Sequence, residues 1–322
     1  MMNMNAPSAS SKSSIIGVSE AIVAYLWWGF VTAMYYKQLD QFPPMELLTG
    51  RVLTGIPLML LLIALPPGIG RLIEVLRNRR TMAMLALSTF CISLNWLTFI
   101  YAVIENRLME ASIGYFINPL VSVMLGRIFL GERLNLTKSI AVGIAAAGVV
   151  VFCIAILMTQ DARNSIDSFP WIPFVLPASF GMYGLLRKQM KADSVTGLTV
   201  ELLFLTPPML AIEAWFFIHG TSGLLTQPTN MRWFFMLGGF VTIVPIILFA
   251  GAARRLQLGT TGVLQYIAPT GQFIIAVTVF NEEFTLGKGI AFGLIWVAVI
   301  TYSSQSLFHR KRPTQTDQKS PD

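Results

Sequence analysis

Residues 140–157 read IAVGIAAAGVVVFCIAIL, a stretch of eighteen residues without a charged or strongly polar side chain. Such a run is typical of a helix that crosses a bilayer, because about 20 apolar residues span the hydrocarbon core. Working outward from it with the same criterion gives ten candidate spans. They cover residues 15–36, 45–65, 82–104, 111–130, 135–157, 169–188, 197–218, 232–253, 260–280 and 286–308.

The overall composition agrees with this interpretation. Of the 322 residues, 54% are apolar and only 12% are charged, about half of the roughly 25% that is usual for soluble domains. The mean hydropathy of +0.65 points the same way. These values exclude a disordered chain, a coiled coil and an ordinary soluble enzyme, and they predict an all-α membrane protein.

Few side chains could build a metal or redox site. Cys91 and Cys153 both lie in apolar runs, which argues against a disulfide framework or a thiolate metal site. His219 and His309 fall in different connecting or tail segments, so no histidine cluster is available. The sequence has no Gly-x-x-x-x-Gly-Lys-Ser/Thr loop for ATP. We therefore expect no metal and no cofactor.

The net charge of +7 is explained by where the basic residues lie. If the N-terminus is cytoplasmic, 17 of the 23 Lys and Arg residues fall on the cytoplasmic side and five on the outer side. This asymmetry is the usual signal of topology in membrane proteins. It predicts a multi-pass membrane protein with both termini in the cytoplasm, and it argues against nucleic acid as a partner.

The chain contains an internal duplication at an offset of 150 residues. Nine identities fall in the window 111–152, among them the pairs Pro119/Pro269 and Glu132/Glu282, and Leu108/Leu258 keeps the same register upstream. A repeat unit of five spans forces the second copy to be inverted. We expect a disordered tail at 1–14, a first five-helix repeat at 15–157, a second, inverted one at 158–308 and a basic tail at 309–322. Inverted repeats are typical of secondary carriers, whose site lies near the midplane.

Several strings resemble the RarD-type branch of the EamA/drug–metabolite transporter superfamily. In the first half these are NWL at 95–97, AV at 102–103, EASIGYFINPLVSV at 110–123 and GERL at 131–134. In the second half they are SFGMYGLLRK at 179–188, TGLTVE at 196–201 and LQYIAPT at 264–270. The resemblance runs from about residue 17 to about residue 305. It implies a ten-helix bacterial inner-membrane permease, but it does not supply a ligand.

Two prolines at equivalent positions mark the expected centre of the site. Pro119 and Pro269 lie inside spans four and nine, and each should break its helix by freeing the carbonyl four residues earlier. Polar residues follow the same helix faces. Backbone broken at membrane depth is tolerated where it lines a cavity or is buried in protein, so both a cavity wall and a simple kink remain open.

The candidate cavity residues are mainly neutral polar and aromatic. Asn95 could contact a ligand or join two helices, and the aromatic residues could line a pocket or pack at the interface. Tyr35, Tyr36 and Trp27 fit packing or an interfacial belt better than a pocket. The predicted substrate-cavity residues are Tyr25, Trp28, Arg51, Asn95, Trp96, Tyr115, Asn118, Tyr183, Gln265 and Gln272.

Charges inside the spans are few, and each suggests a function. Arg51, two turns into span two, could bind an anion or extend toward the interface. Glu46 and Glu201 share the pattern Glu-Leu-Leu at opposite membrane faces, which would suit a gate or a proton site. A carboxylate in the first turn of a helix is the simpler explanation for Glu201.

Together these features predict a secondary-active transporter for a small metabolite or drug-like compound, working by alternating access. The residues leave export and uptake open, and the family resemblance favours export. The alternatives are a membrane-embedded enzyme, for which no span carries a nucleophile–base pair or metal motif, and a channel or scaffold. The expected partners are the lipid bilayer and a small-molecule substrate, and both a monomer and a homodimer remain open.

Overall fold

The computed structural model describes residues 9–131, 136–159, 169–256 and 258–308. All regular secondary structure in these ranges is helical. The helices are α1 (Ala9–Leu26), a π-helical turn (Trp27–Val31), α2 (Thr32–Lys37), α3 (Pro44–Ala64), α4 (Gly68–Arg77), α5 (Arg79–Ile104), α6 (Leu108–Leu130), α7 (Leu136–Thr159), α8 (Ile172–Gln189), α9 (Ser194–Ile218), α10 (Gly223–Thr226), α11 (Thr229–Phe235), α12 (Gly238–Arg255), α13 (Leu258–Leu264), α14 (Ile267–Thr278) and α15 (Leu286–Phe308).

Eight helical segments of the described chain are long and apolar enough to cross a membrane. Two of the predicted spans are not among them. The predicted span 169–188 corresponds to α8, whose last turn carries Arg187 and Lys188. The predicted span 260–280 corresponds to two shorter helices, α13 and α14. The all-α membrane architecture predicted from composition is confirmed.

The first helix is longer and less regular than expected. It begins at Ala9, so the prediction of a disordered tail is wrong for residues 9–14, while residues 1–8 and the tail at 309–322 lie outside the described residues. Alanine and lysine favour a helix and serine opposes one only weakly, so α1 can begin several residues before the apolar run. One π turn at Trp27–Val31 then widens the helix.

The two prolines behave differently. The chain leaves the helical path at Gln265 and Tyr266, and Pro269 is the third residue of α14. There its missing N–H costs little, because the first N–H groups of a helix have no intrahelical partner. By contrast, α6 continues from Leu108 to Leu130 with Pro119 inside it. Pro119 therefore does not end α6, because a proline removes one helix hydrogen bond and can bend a helix without ending it.

Packing brings helices of the two halves of the chain together. The main contacts join α7 with α15, α3 with α9, α6 with α14, α6 with α8, α5 with α8, α1 with α12, α3 with α12, α5 with α9, and the π turn with α14. Small residues allow the closest approaches, as is usual between membrane helices. A Cβ on Gly29 would lie 2.9 Å from the Ala268 carbonyl oxygen, and a Cβ on Gly239 would collide with the backbone of Thr54 and Gly55.

Candidate functional site: a central cavity

A cavity of about 370 Å³ lies between the helices of both halves, within the range of small-molecule sites. All ten predicted substrate-cavity residues line it, although whether they contact substrate stays a prediction. The full lining is Tyr25, Trp28, Thr32, Arg51, Ile92, Asn95, Trp96, Phe99, Tyr115, Asn118, Phe180, Tyr183, Arg187, Ser194, Leu198, Ile246, Phe249, Ala250, Gln265, Ala268, Pro269 and Gln272.

Sequence reasoning missed one charged member of this wall. Arg187 counts among the charges of the cytoplasmic side in the topology argument, but it lies in the last turn of α8 and lines the cavity. Its spacing could have revealed this, because Ser179, Tyr183 and Arg187 are four residues apart and so share one helix face. The lining therefore carries two guanidinium groups, where the sequence suggested Arg51 alone.

Asn95 joins three helices at the cavity wall. Its Nδ2 donates to the Leu176 carbonyl oxygen at 3.0 Å and to Ser179 Oγ at 3.1 Å, and its Oδ1 accepts from the Tyr115 hydroxyl at 3.2 Å. These bonds connect α5 with α8 and α6. Asn95 thus bonds neighbouring helices and also lines the cavity, and its contact with a ligand stays a prediction.

Arg51 is 6% exposed and lies two turns into α3. Its guanidinium Cζ is 4.0 Å from the Trp96 ring centroid, and its Nη1 donates to the Tyr36 hydroxyl at 3.2 Å. Its Nε is buried without a hydrogen-bond partner. Among the described residues Arg51 takes part in no ion pair. The guanidinium is thus fixed in place by aromatic groups while its charge remains uncompensated.

Two amide side chains of the proline-bearing helices keep unused hydrogen-bonding capacity. Asn118 Oδ1 and Gln272 Oε1 are buried without a partner in the described chain, and both residues line the cavity. Of the two prolines, only Pro269 reaches the cavity, and its carbonyl oxygen accepts from Ser112 Oγ of α6 at 2.8 Å. The matching polar stripes predicted on these helices are therefore only partly realised at the wall.

Glu201 lies directly behind the cavity wall and is fully buried. Its Oε1 accepts from Ser88 Oγ at 2.6 Å and its Oε2 from the Tyr183 hydroxyl at 3.4 Å, while Arg187 Nη1 is 3.9 Å away. Because α9 begins at Ser194, Glu201 is two turns inside the helix, and the first-turn explanation is wrong. The carboxylate touches two lining residues without lining the cavity itself.

Glu46 is also fully buried, but it lies away from the cavity, where it meets Glu213. Ser222 Oγ is 2.9 Å from Glu46 Oε1 and 3.2 Å from Glu213 Oε1, and it accepts from Leu224 N. A hydroxyl has one hydrogen and cannot donate to two carboxylates. If both contacts are hydrogen bonds, one carboxyl must carry a proton. The Gly223 N–H, 2.7 Å from Glu46 Oε1, favours Glu46 as the anion.

The two tyrosines expected either to pack or to lie in an interfacial belt are buried inside the protein. Tyr36 is 1% and Tyr35 4% exposed, so the belt interpretation is wrong for them and the packing interpretation holds. The Tyr35 hydroxyl donates to the Phe235 carbonyl oxygen at 2.9 Å, and Trp27 Nε1 donates to the Val241 carbonyl oxygen at 3.0 Å. A hydroxyl with a partner can be buried without an unpaired polar group.

A second group of polar residues lies at the end of the molecule where α6 begins. Glu282 accepts from Leu108 N at 2.6 Å and from Met109 N at 3.0 Å, which satisfies two free N–H groups of the α6 N-terminus. Arg107 forms a bidentate pair with Glu110 beside it. Burial raises the pKa of Glu282 to about 7 despite the two N–H groups. Its repeat mate Glu132 lies outside the described residues.

Comparison with known proteins decides the family. The EamA-like transporter family matches residues 15–154 and, a second time, residues 170–304. The chain belongs to the EamA-like transporter family. An uncharacterized transporter of Vibrio cholerae is 36% identical over 291 residues, covering 90% of this chain and 93% of that protein. Protein RarD of Escherichia coli is 35% identical over 305 residues, covering 95% and 99%.

The fold of this EamA-like transporter also matches a solved crystal structure of a protein with a TM-score of 0.52. The sequences are 17% identical, and the match covers 94% of this chain and 99% of that one. The resemblance to RarD-type permeases predicted from the sequence is confirmed by its relatives. The chain is a multi-pass membrane transporter, and its bilayer environment follows from its apolar helices.

Proposed function

We propose that this EamA-like transporter is a secondary-active carrier that exports a small metabolite or drug-like compound by alternating access. The observation that carries the proposal is the cavity: both halves of the chain contribute polar and aromatic side chains to one central space. A site between two halves is the arrangement that rocking of one half against the other would expose to either side. We propose no enzymatic activity, and the named relatives are transporters.

We further propose ten membrane-crossing helices in two inverted repeats, at 15–157 and 158–308. The double family match supports this. So does the packing pattern, because the contacts of α6 with α8, α5 with α8 and α5 with α9 have counterparts in those of α14 with the π turn, α12 with α1 and α12 with α3. In this scheme α8 and the broken pair α13–α14 are the sixth and ninth crossings.

We propose that the transporter lies in the inner (plasma) membrane with both termini in the cytoplasm. The distribution of Lys and Arg, 17 against five, supports it. With that orientation the cavity extends to the cytoplasmic end, where Arg187 and Ser194 line it, and Glu282 caps α6 at the outer end. Export is the proposed direction because the chain resembles the drug–metabolite transporter superfamily. Glu201, one contact behind the wall, is the proposed gate or proton site, and Glu46 is a more distant candidate.

Alternating access can be tested by cysteine labelling in a Cys91→Ala, Cys153→Ala background. Thr32→Cys would place a thiol on the cavity wall and Ser194→Cys at the cytoplasmic end of the cavity, while Leu61→Cys, at a position that is 68% exposed and outside the cavity, is the control. A membrane-impermeant maleimide would be applied to oriented vesicles from each side in turn.

The proposal predicts that Thr32→Cys reacts from both sides, because the cavity opens to each side in turn. Ser194→Cys should react from the cytoplasmic side alone, and Leu61→Cys from neither. If Thr32→Cys reacts from one side only, the alternating mechanism is wrong. Reaction from both sides together with ion conductance across planar bilayers would instead identify a channel.

A further inference from the structure

The charge on the cavity wall indicates which compounds it can hold. Arg51 and Arg187 both line the cavity, and its described lining contains no acidic side chain. Glu201 lies 3.9 Å from Arg187 and offsets that charge from behind. No carboxylate in the described part of the chain is paired with Arg51. The cavity therefore presents one uncompensated positive charge.

An arginine cannot remove this charge by losing its proton, because the guanidinium stays protonated in proteins. Holding a buried charge without a partner is costly unless a ligand supplies the counter-charge. The Nε of Arg51 has no hydrogen-bond partner among the residues that the structure describes, although Arg51 is 94% buried and lines the cavity. Stacking on Trp96 and the bond to Tyr36 hold the guanidinium plane in place before a ligand arrives.

Another part of the cavity wall is aromatic and mainly apolar. Tyr25, Trp28 and Phe249 form a triangle of rings with centroids 5.8–6.0 Å apart, and all three line the cavity. Planar rings in this arrangement accept an aromatic or similarly flat body edge-on or offset. The volume of about 370 Å³ suits a compound of this size.

We propose that the transported compound is an organic anion, a carboxylate on an apolar body about the size of one aromatic ring, with its carboxylate bound by Arg51. This rests on the proposed transport function and names its substrate class. Carboxylates bind guanidinium groups through short, charge-assisted hydrogen bonds. A membrane potential that is negative inside also favours the outward movement of an anion, so export needs no coupled ion.

Three compounds with the same ring and nearly the same length test the assignment: phenylacetate is an anion, phenethylamine a cation and phenylacetamide neutral. Their binding to the purified full-length protein in nanodiscs would be measured by isothermal titration calorimetry. We expect phenylacetate to bind at least about tenfold more tightly than the other two, the discrimination that one charge-assisted bond provides.

Matched variants assign the preference to Arg51. Arg51→Gln should remove it, lowering phenylacetate affinity by roughly tenfold to a hundredfold. Arg51→Lys keeps the cation without the planar fork and should retain a weaker preference, which covers the case in which the glutamine variant folds poorly. Arg71→Gln, at a position 56% exposed outside the cavity, should bind like the wild type.

Tighter or equal binding of the amine or the amide would overturn the proposal, as would binding of none of the three compounds. An unchanged preference in Arg51→Gln with a monodisperse protein would also overturn it. If the anion preference fails while Thr32→Cys still reacts from both sides, alternating access stands and only the substrate class is wrong.

Discussion

Replacing Glu282 with glutamine should make the stability of the transporter less dependent on pH. The Glu282 carboxyl lies at the N-terminus of α6, bonded to the N–H groups of Leu108 and Met109. Burial raises its pKa from 4.5 to about 7. The folded protein therefore holds a proton that the unfolded chain releases near pH 4.5, and stability falls as the pH rises through this window.

The size of the effect follows from the shift. Raising a carboxyl pKa from 4.5 to about 7 corresponds to roughly 3 kcal/mol. The wild type should lose about this much free energy of unfolding between pH 4.5 and pH 7.5, with the loss levelling off above the folded pKa. Glutamine does not titrate, but its side-chain oxygen still accepts an N–H bond, so Glu282→Gln should fold and lack this component of the pH dependence.

Thermal unfolding in detergent, followed by tryptophan fluorescence at pH 5 and pH 8, measures the difference. The neighbouring charged groups are Glu110, paired with Arg107, and Lys288. Glu283→Gln, an exposed neighbour, is the matched control and should behave like the wild type. If Glu282→Gln and the wild type lose equal stability between the two pH values, the buried carboxyl does not titrate as argued.

Two further predictions concern buried contacts. Glu213→Gln should leave the thermal stability nearly unchanged, because an amide can donate to Ser222 as a protonated carboxyl does. Glu46→Gln should lower the free energy of unfolding by about 1.5–3 kcal/mol, because it weakens the charged bond to the Gly223 N–H. Equal losses for the two variants in unfolding experiments would contradict the assignment of the proton to Glu213. Gly239→Ala should destabilise the protein by about 1–3 kcal/mol, because the added Cβ meets the α3 backbone. Gly293→Ala is the control and should not destabilise it, because the space around Gly293 is open. Similar melting temperatures for both variants would contradict the close packing of α3 on α12.

Much of the cavity could be predicted from the sequence because lipid is a strict solvent. A polar side chain in an apolar helix must find a partner in the protein, so Asn95, Asn118 and Gln272 could be expected to point inward. Arg51 followed from the same reasoning. The long apolar runs similarly indicated helices, since backbone groups in lipid must bond within the segment.

The remainder depends on contacts that no local pattern encodes. Glu282 caps a helix 174 residues earlier in the chain, and a carboxylate after a span looks like an ordinary loop residue. Arg187 reads as a topology charge because it stands at the end of its predicted span, and the sequence does not show that Glu201 of α9 lies beside it at the cavity wall. Pro119 and Pro269 are equivalent in the repeat, yet one helix continues and the other breaks, which depends on the surrounding packing.

The most direct test of alternating access is a pair of distance measurements by double electron–electron resonance in nanodiscs. Spin labels on Glu105 and Glu283 would report the proposed outer end, and labels on Lys191 and Arg254 the proposed cytoplasmic end; all four positions are exposed. Alternating access predicts two distances at each end, and the fraction of molecules with the shorter outer distance should equal the fraction with the longer cytoplasmic distance. One fixed distance at each end, or both ends opening together, would contradict it.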